Sequence, residues 1–405
     1  MDALDIISNI EQTKPYFQPI ISAEEQAVIG YEVLGRIETK KGVESLGFFF
    51  HDETVPDEYR LEVDDYIREK AIQYILKDAK DHLLLFLNFN VNLLMLDRGE
   101  AFLTQLNRYK DHGLDFSRIV VEITEHDYSG DIHQLCHLIN YFKALGIKVA
   151  VDDIGKGASN LDRIGLLKPD ILKVDLEVLN NPSESHRDIL YSLAMLARKI
   201  GASLLYEGVE DILHLNYAWR NGGRYYQGYY LARPKENFVD IDFCKQTLGA
   251  EFHQFILHEK TKIEAQYKLS ENLNTRLVTT LKKVKHITEL DQTLVHIAEE
   301  LSDLSFRLYI CNEDGFQESA NVVKQSDQTW ALQPNYKNKN WSWRPYFLEN
   351  IARMNYEKKG ILSDLYSDIE TDEIIRTYSF PMDNGLYLFI DISYAFLYEQ
   401  DGLLE

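Results

Sequence analysis

The chain has 405 residues and a formal net charge of −22, from 65 acidic against 43 basic residues. A length of this order predicts a large domain together with a smaller one. The acidic excess argues against binding to long nucleic acid, because such binding needs a basic surface that releases counterions from the phosphates. It leaves open a small anionic ligand that is held through metal ions.

The composition also bears on the cellular compartment. The three cysteines, Cys136, Cys244 and Cys311, are widely separated, which is typical of unpaired thiols in a reducing cytosol. The amino terminus is acidic and lacks the basic flank and apolar core of a signal peptide. The longest apolar run, from Leu83 to Leu96, is too short and too rich in asparagine to span a bilayer. We therefore expect a cytoplasmic protein without membrane insertion.

Eight apolar runs before residue 235 have the length and composition of buried strands. They start near Tyr16, Gly30, Leu83, Ile119, Lys148, Ile171, Ser203 and Tyr225. Helical segments separate most of them, which predicts an α/β fold of the TIM-barrel type over residues 1–243. The connection between the first two runs is too short for a crossover helix, so the first strand should run antiparallel to the second. The expected fold is thus a modified (β/α)8 barrel.

A different pattern follows the predicted barrel. Between Ala250 and Asp314 the sequence has neither glycine nor proline, and apolar residues recur on one helical stripe. The stripe consists of Ile263, Leu269, Leu273, Leu277, Leu281, Val284 and Ile287. We interpret residues 244–290 as a long helical linker. Two interpretations of the stripe stay open: it packs along its own domain, or a second subunit buries it. The second predicts a homodimer that charged substitutions at Leu277 and Leu281 weaken.

Residues 291–405 predict a smaller α+β domain. Runs that start at Phe306, Ile374 and Gly385 indicate antiparallel strands joined by turns. The segment 340–347 concentrates aromatic residues around Arg344. Such residues either form a core or line a pocket for a small ligand, and both alternatives stay open.

Acidic, amide and basic side chains recur at the carboxyl ends of the predicted barrel strands. They are Glu32, Asn88, Glu122, Asp152, Asp153, Lys173 and Glu207. Because the carboxyl ends of parallel strands converge on one face of a barrel, these side chains should meet there. A cluster of carboxylates repels itself unless cations lie among the oxygens, so the pattern predicts a site for divalent metal ions.

These residues lie in a series of short motifs. In chain order the motifs are Glu32-Val-Leu-Gly-Arg36, Leu87-Asn-Phe-Asn90, Glu122-Ile-Thr-Glu125, Asp152-Asp-Ile-Gly-Lys-Gly157, Lys173-Val-Asp175, Glu207-Gly-Val-Glu210 and Gln227-Gly-Tyr229. Each motif is weak alone, but the series, over about residues 10–240, resembles the EAL-domain phosphodiesterases, which open cyclic di-GMP to linear pGpG. Residues 291–405 separately resemble a PAS-like sensory domain, which implies a small ligand of unknown identity for this part of the chain.

The resemblance implies a role for each motif. The implied ligands of Mg²⁺ or Mn²⁺ are Glu32, Asn88, Glu122, Asp152, Asp153 and Glu207. The implied catalytic residues are Lys173, Glu32 and Glu207. The implied contacts to cyclic di-GMP are Gln18, Leu34, Arg36, Asp175, Gln227 and Tyr229. Glu125 and Glu210 would anchor the loop after the double aspartate. Lys173 would position or deprotonate water, with a pKa lowered by burial among cations, and Ca²⁺ should bind without supporting turnover.

One motif departs from the family pattern. After Asp153 the chain has Ile154, Lys156 and Ala158, where the family has Phe, Thr and Tyr. A shift of a metal ligand by about 1 Å can reduce the rate roughly 100-fold. Two functions therefore stay open. The protein is either a metal-dependent phosphodiesterase regulated by its last domain, or a receptor that binds cyclic di-GMP with little or no turnover and signals through its dimer.

Overall fold

A computed structural model describes residues 3–40, 42–52, 54–78, 82–124, 128–154, 161–177, 184–344, 347–400 and 403. The chain divides into two compact units, Met1–Phe252 and His253–Glu405. Each unit has its own sheet. The finer division into residues 1–243, 244–290 and 291–405 stays a prediction.

The described residues of the first unit form a closed barrel of eight strands, with one further strand on its outside. In chain order the strands are β1 (Thr13–Ser22), β2 (Val28–Thr39), β3 (Gly42–Ser45), β4 (Leu84–Phe89), β5 (Ile119–Thr124), β6 (Lys148–Ile154), β7 (Ile171–Asp175), β8 (Ser203–Glu207) and β9 (Gly223–Tyr226). The helices are α1 (Ala3–Ser8), α2 (Gly47–His51), α3 (Asp57–Asp78), α4 (Val91–Leu96), α5 (Glu100–Lys110), α6 (Ile132–Ala144), α7 (Leu161–Leu167), α8 (Glu184–Ile200) and α9 (Ile212–Arg220). The sheet order is β1-β9-β8-β7-β6-β5-β4-β2-β3, and pairing of β1 with β2 closes the barrel.

The first strand is antiparallel to both of its neighbours, β2 and β9, so the prediction of a modified barrel is confirmed. Strand β1 carries Pro15 and Pro19, which cannot donate to a ladder. They lie two positions either side of Phe17, whose amide points away from β2 and donates to the carbonyl of Lys235. The prolines therefore occupy positions where pairing with β2 needs no N–H.

An apolar layer fills the lower interior of the barrel. It consists of Ile20, Ile29, Phe86, Val120, Ala150, Ile171 and Leu205, each from a different strand. All of these side chains are at most 8% exposed. Because successive side chains on a strand alternate between the two faces, this layer fixes which later positions also point inward.

The second unit contains the larger part of a long helix and an antiparallel sheet. Its helices are α10 (Lys245–Val284), α11 (Leu290–Glu300), α12 (Phe347–Glu357) and α13 (Tyr394–Glu399), with α10 beginning before the division. Its strands are β10 (Ser305–Asn312), β11 (Asn321–Lys324), β12 (Trp330–Gln333), β13 (Ile361–Leu362), β14 (Tyr366–Ser367), β15 (Ile374–Pro381) and β16 (Leu386–Ile392). The order is β12-β11-β10-β16-β15-β13, and β14 pairs with β15. The three strands predicted here are β10, β15 and β16.

The apolar stripe of α10 packs along its own unit. Leu273 and Leu277 are fully buried in a core that includes Leu294 and Ile390, and Leu281 packs against the same core. The interpretation in which a second subunit buries this stripe is therefore wrong for these residues. A charge at Leu277 would disrupt the fold of the unit, because it would place an unpaired charge in an apolar core.

The aromatic segment before α12 contributes to a second core. Phe347 is 2% exposed and stacks on Phe389 with a ring separation of 5.7 Å. Trp341 packs against this core, and the Arg344 guanidinium lies 4.6 Å from its ring centroid. The prediction that the aromatic residues form a core is thus confirmed for Trp341 and Phe347. A ligand of this domain stays a prediction. Of the helices that the structure describes, none has an apolar stretch long enough to span a bilayer.

Candidate active site

The predicted site side chains form the next inward layer of the barrel. Asn88, Glu122, Asp152, Lys173 and Glu207 each follow a residue of the apolar layer by two positions on the same strand. The alternation along each strand therefore directs them inward as well. They lie at or near the carboxyl ends of β4 to β8, the face where barrel enzymes place their reactive groups.

Lys173 is at the centre of this layer. Its Nζ lies 2.9 Å from Glu122 Oε1, 3.0 Å from Glu207 Oε1, 3.1 Å from Asp152 Oδ2 and 3.8 Å from Glu32 Oε1. The lysine is completely buried. These four carboxylates face a single ammonium group, so full ionisation leaves three negative charges uncompensated within the set.

Burial and mutual repulsion shift the pKa values of these groups. Desolvation, reinforced by neighbouring carboxylates, raises the pKa of Glu122 and of Glu207 well above the ordinary carboxyl range. Desolvation opposes the charge of Lys173, but the surrounding carboxylates outweigh it and raise its pKa well above the usual value. The pKa of Asp152 is lowered, because Lys173 and hydrogen bonds outweigh its desolvation. The lowered pKa of Lys173 expected beside bound cations stays a prediction, since without metal the amine is an ammonium.

Two amide side chains orient Glu32. Asn88 Nδ2 donates to Glu32 Oε1 at 2.8 Å, and Gln227 Nε2 donates to Glu32 Oε2 through a short hydrogen bond. Gln227 precedes Gly228, where an added Cβ would lie 2.1 Å from the carbonyl oxygen of Val209. Because glycine has no side chain, the backbone at Gly228 can approach Val209 this closely. This approach places Gln227 beside Glu32.

The donor set fits hard divalent cations, because its acceptors are carboxylate and amide oxygens. Among the described residues, both carboxylate oxygens of Glu122, Glu207 Oε1 and Gln227 Oε1 are buried and make no hydrogen bond of good geometry. Glu122 and Glu207 are nevertheless ion-paired with Lys173. Buried oxygens without a hydrogen bond are unusual in folded proteins, and a bound cation would satisfy them.

The acidic side chains of this layer do not form a closed cage for an ion. Within the described part of the chain, no three acidic, histidine or cysteine side chains are positioned to enclose a metal ion. The carboxylates converge on Lys173 Nζ instead. The residue types and their burial fit a cation, and the side chains would have to turn from the ammonium to bind it.

Asp153 has a strained backbone. Its φ is +57°, a conformation that residues other than glycine rarely adopt, and its amide donates to Asp152 Oδ1 at 2.7 Å. The register between β6 and β7 shifts here, between Val151 and Ile154. The predicted loop after Ile154, with Lys156 and Ala158, lies outside the described residues, as does the loop anchor Glu125. Glu210, the other predicted anchor, is exposed, and its amide donates to His214 Nδ1 at 3.3 Å.

The inward layer around Lys173, which is predicted to bind metal ions, is named the metal layer. A cleft of about 350 Å³ opens beside it. Of the predicted site residues, Leu34, Arg36, Asn88, Asp152 and Asp153 line it. Burial lowers the pKa of Arg36, whose Nη1 donates to Ser45 Oγ at 3.3 Å. The cleft therefore joins the metal layer to the residue predicted to grip the ligand.

Four predicted contacts of the ligand lie outside this cleft lining: Gln227, which holds Glu32, and Gln18, Asp175 and Tyr229. Gln18 is buried and pairs with Glu32 in the β1–β2 register. Asp175 Oδ1 accepts from the amide of Glu177 at 2.8 Å. Tyr229 is 53% exposed, and the Arg233 guanidinium lies 4.2 Å from its ring centroid. Their roles stay predictions.

The cleft also has lining residues that sequence reasoning missed. They are Ser45, His51, Arg60, Asp64 and Arg68, among others. Arg60, Asp64 and Arg68 are spaced four residues apart on α3, so one face of this helix carries all three. The four-residue spacing predicts that these side chains share one helix face. Nothing in the sequence indicates that this face lies against the carboxyl ends of the strands.

Comparison with known families covers almost the whole chain. The EAL domain model matches residues 3–234, and the model of an EAL-domain associated signalling protein domain matches residues 238–404. The uncharacterized EAL-domain containing protein YkuI of Bacillus subtilis is 55% identical over 409 residues, which span 100% of both chains. The probable cyclic di-GMP phosphodiesterase PdeG of Escherichia coli is 25% identical over 56% of this chain and 45% of its own length.

Solved structures agree with these matches. The crystal structure of B. subtilis YkuI in complex with substrate c-di-GMP and calcium has a TM-score of 0.95 and 53% identity, and covers 100% of both chains. An EAL domain protein from Listeria monocytogenes has a TM-score of 0.50 and 25% identity, and covers 58% of this chain and 94% of its own. The family model over more than half of the sequence and the full-length relative show that this chain belongs to the EAL-domain family.

Proposed function

We propose that this protein is a metal-dependent phosphodiesterase that binds cyclic di-GMP and opens it to linear pGpG. The observation that carries the proposal is the buried layer around Lys173, where four acids face one ammonium group and, among the described residues, Glu122 Oε2 is buried without a hydrogen bond. The calcium and c-di-GMP complex of YkuI, at 53% identity, supports the ligand and the need for a divalent ion.

The chain's own residues supply the grip on the ions and on the ligand. Glu32, Asn88, Glu122 and Asp152 would hold a first ion, and Asp153 and Glu207 would lie near a second that Asp152 shares. When bound, two such ions offset the charge of the phosphate oxygens and of the leaving alkoxide. Oxygen donors favour Mg²⁺ or Mn²⁺ for turnover, and Ca²⁺ is expected to bind without it.

Lys173 and Arg36 have separate tasks in this proposal. Lys173 Nζ is within hydrogen-bonding distance of three carboxylates. Once these acids turn to bind ions, the amine would be free to orient a water molecule and exchange a proton with it. Arg36 lies in the cleft beyond the metal layer, where its planar guanidinium suits a phosphate or a base edge. Gln227 keeps Glu32 in place through its hydrogen bond.

A receptor without significant turnover is the second candidate. The sequence after Asp153 favours it, because Ile154, Lys156 and Ala158 replace the Phe, Thr and Tyr of the family motif. If these changes limit the rate, restoring all three (Ile154→Phe, Lys156→Thr, Ala158→Tyr) should raise turnover. A restored variant that hydrolyses no faster than the wild type would remove the loop as the explanation of weak activity.

One experiment separates the two candidates. Purified full-length protein is mixed with cyclic di-GMP and Mg²⁺ or Mn²⁺, and binding and pGpG formation are followed in the same sample. An enzyme binds and then converts the ligand with multiple turnovers, whereas a receptor binds and leaves it intact. Absence of binding at high micromolar ligand, with Ca²⁺ or Mg²⁺ present, would contradict both candidates.

We further propose a homodimer with control through a PAS-like last domain that binds a small ligand. Leu277 is buried in its own unit and therefore gives no support for a dimer contact. On another part of α10, however, Ile263 is 49% and Tyr267 is 70% exposed, and the two share one helical face. Exposed apolar side chains four apart are suited to burial by a second copy. Light scattering at tens of micromolar should give about twice 47.2 kDa, and Ile263→Lys with Tyr267→Lys should shift it to one chain. A monomeric wild type would refute this part of the proposal.

A further inference from the structure

The wall of the cleft formed by α3 contains a row of charged side chains. Arg60, Asp64 and Arg68 lie on one helix face and line the same cleft as Arg36 and Asp152. The protein has a net charge of −22, so two arginines on one cleft wall form a local basic feature on an acidic protein. The sequence motifs and the proposed chemistry use none of the three.

Arg68 is committed to the protein itself. It is 4% exposed and donates to Asp64 Oδ2 at 2.7 Å and to Asp65 Oδ1 at 2.5 Å. Its guanidinium also lies 4.3 Å from the ring centroid of Phe89. Its Nε is buried without a hydrogen-bond partner, as is that of Arg60, but two ion pairs and a ring contact hold Arg68 in place, so we assign it to the structure of the cleft wall.

Arg60 is held much more loosely. Its Nη2 donates to Asp57 at 2.6 Å; the Arg60 side chain is 16% exposed, but that of Asp57 is 56% exposed, so water competes for the acid and the pair is weak. The contact to the Phe50 carbonyl is 3.4 Å long. Within the part of the chain that the structure describes, Arg60 Nε is buried and has no hydrogen-bond partner. A desolvated donor at a cleft wall is suited to an acceptor on a ligand.

The position of Arg60 decides which part of a ligand it meets. Arg36 follows Glu32 by four positions on β2, which places it about 13 Å further along the strand, at roughly 3.3 Å per residue. Arg60 is near this outer part: its Nη1 donates to the carbonyl of Phe50, and the Phe50 ring lies 3.4 Å from where a Cβ of Gly35, the residue before Arg36, would be. A phosphate at the metal layer therefore leaves non-reacting groups, such as a base, for the outer cleft.

We propose that Arg60 is a specificity-determining residue that donates to O6 and N7 of a guanine of the bound cyclic dinucleotide. This inference rests on the proposed function. The guanine edge offers two adjacent acceptors that match the two parallel donors of a guanidinium, whereas adenine presents an amino donor at the same place. The unpartnered Nε, together with one Nη, supplies the required pair of donors.

The test measures the affinity of full-length protein for two ligands by calorimetry with Ca²⁺ present. One ligand is cyclic di-GMP, and the other is its 7-deazaguanine analogue, in which carbon replaces the N7 acceptor. We expect Arg60→Ala to weaken cyclic di-GMP on the order of 10- to 100-fold. The loss that the wild type shows for the analogue should shrink at least about fivefold in the variant, because the contact is already absent. Arg60→Lys should behave like Arg60→Ala, since an ammonium cannot form the paired contact.

Arg198→Ala is the matched control, because Arg198 is exposed and lies outside the cleft lining. Unchanged binding of cyclic di-GMP by Arg60→Ala would overturn the inference and leave the proposed function standing. An equal penalty for the analogue in wild type and variant would overturn the contact to the base. If Arg60→Ala does not fold, the same comparison is made with Arg60→Gln. A wild type that binds neither ligand would refute the proposed function itself.

Discussion

Lys173 in the barrel and Arg307 in the second unit are both buried cations surrounded by acids. Lys173 is fully buried, and Arg307 is 7% exposed. Arg307 donates to Asp391 Oδ2 at 2.6 Å, to Asp368 Oδ1 at 2.6 Å and to Glu370 Oε2 at 2.9 Å. Each cluster therefore consists of one buried cation and several carboxylates. The clusters differ in how many of the carboxylate oxygens accept a hydrogen bond.

The Arg307 cluster is closed. Each nitrogen of the guanidinium donates to a carboxylate, and Asp391 Oδ1 also accepts from the hydroxyl of Thr377 at 2.6 Å. Asp368 accepts from the amide and the hydroxyl of Thr371. None of the described atoms in this cluster is a buried polar group without a partner. Such a network orders the sheet and needs no further ion.

The Lys173 cluster is open. An ammonium is a point charge with three donors, so it cannot satisfy four carboxylates in the way that a planar guanidinium satisfies three. Among the described residues, Glu122 Oε2 is buried without a hydrogen bond, and Glu122 Oε1 and Glu207 Oε1 share the single ammonium of Lys173. The Arg307 cluster is thus complete within the chain, whereas the Lys173 cluster has an excess of acid that a bound cation would balance. The predictions below test this difference.

The largest effect is expected on hydrolysis. Glu32→Ala should abolish it through loss of a metal ligand, and Lys173→Ala through loss of the group that orients water, each by roughly 10²- to 10⁴-fold. Pseudo-first-order formation of pGpG is measured at saturating Mn²⁺. Calorimetry with Ca²⁺ separates the two routes, because only Glu32→Ala removes an ion ligand. Full turnover by Lys173→Ala would show that the lysine has a structural role only.

Removal of Arg307 should act on stability. Arg307→Ala leaves Asp368 and Asp391 buried without their cation, and breaking a buried pair in this way costs about 3–5 kcal/mol. Guanidinium denaturation followed by far-UV circular dichroism measures the loss. Arg353→Ala is the control, since Arg353 and Glu357 are 55% and 41% exposed, and their pair contributes at most about 1 kcal/mol. Equal losses in both variants would contradict a closed structural cluster.

The barrel layer could be predicted from the sequence because two regularities coincide. Side chains alternate along each strand, and parallel strands align their carboxyl ends, so Asn88, Glu122 and Lys173 were directed to one place by local pattern alone. The Arg307 cluster could not be predicted in this way. Arg307 faces Asp391 through the pairing of β10 with β16. The sequence of neither strand specifies its register with a partner that is distant in the chain.

A second limit concerns what covers an apolar face. The periodicity of α10 showed that Leu273 and Leu277 are buried, but an amphipathic pattern does not say by which element. The structure assigns them to the core of the second unit. For the same reason Arg60 was missed, because the orientation of α3 depends on packing rather than on its own sequence.

Divalent ions should stabilise the open cluster and leave the closed one unchanged. Binding to the folded state alone adds about 2.7 kcal/mol at 100 times Kd. Because burial raises the pKa of Glu122 and of Glu207, the metal-free fold loses stability as pH rises above the ordinary carboxyl range. The ion must displace these protons, so the stabilisation by Ca²⁺ should grow with pH over the same interval.

Thermal unfolding with and without Ca²⁺, at several pH values, measures this increment in stability. Glu122→Gln should abolish the increment and Glu100→Gln, on the surface, should retain it. An increment independent of pH would show that these carboxyls do not bind the ion.

The smallest effect is expected inside the Arg307 cluster, at its exposed arm. The Glu370 side chain is 43% exposed, whereas Asp391 is 1% exposed. Water can replace the carboxylate of Glu370 beside Arg307, so Glu370→Gln should change the free energy of unfolding by about 0–1 kcal/mol. Asp391→Asn removes the charge where water has no access, and should cost about 3–5 kcal/mol. Denaturation of the two variants under one condition gives the difference directly. Similar costs would mean that the whole cluster acts as one unit, and that burial of the individual acid does not decide its contribution.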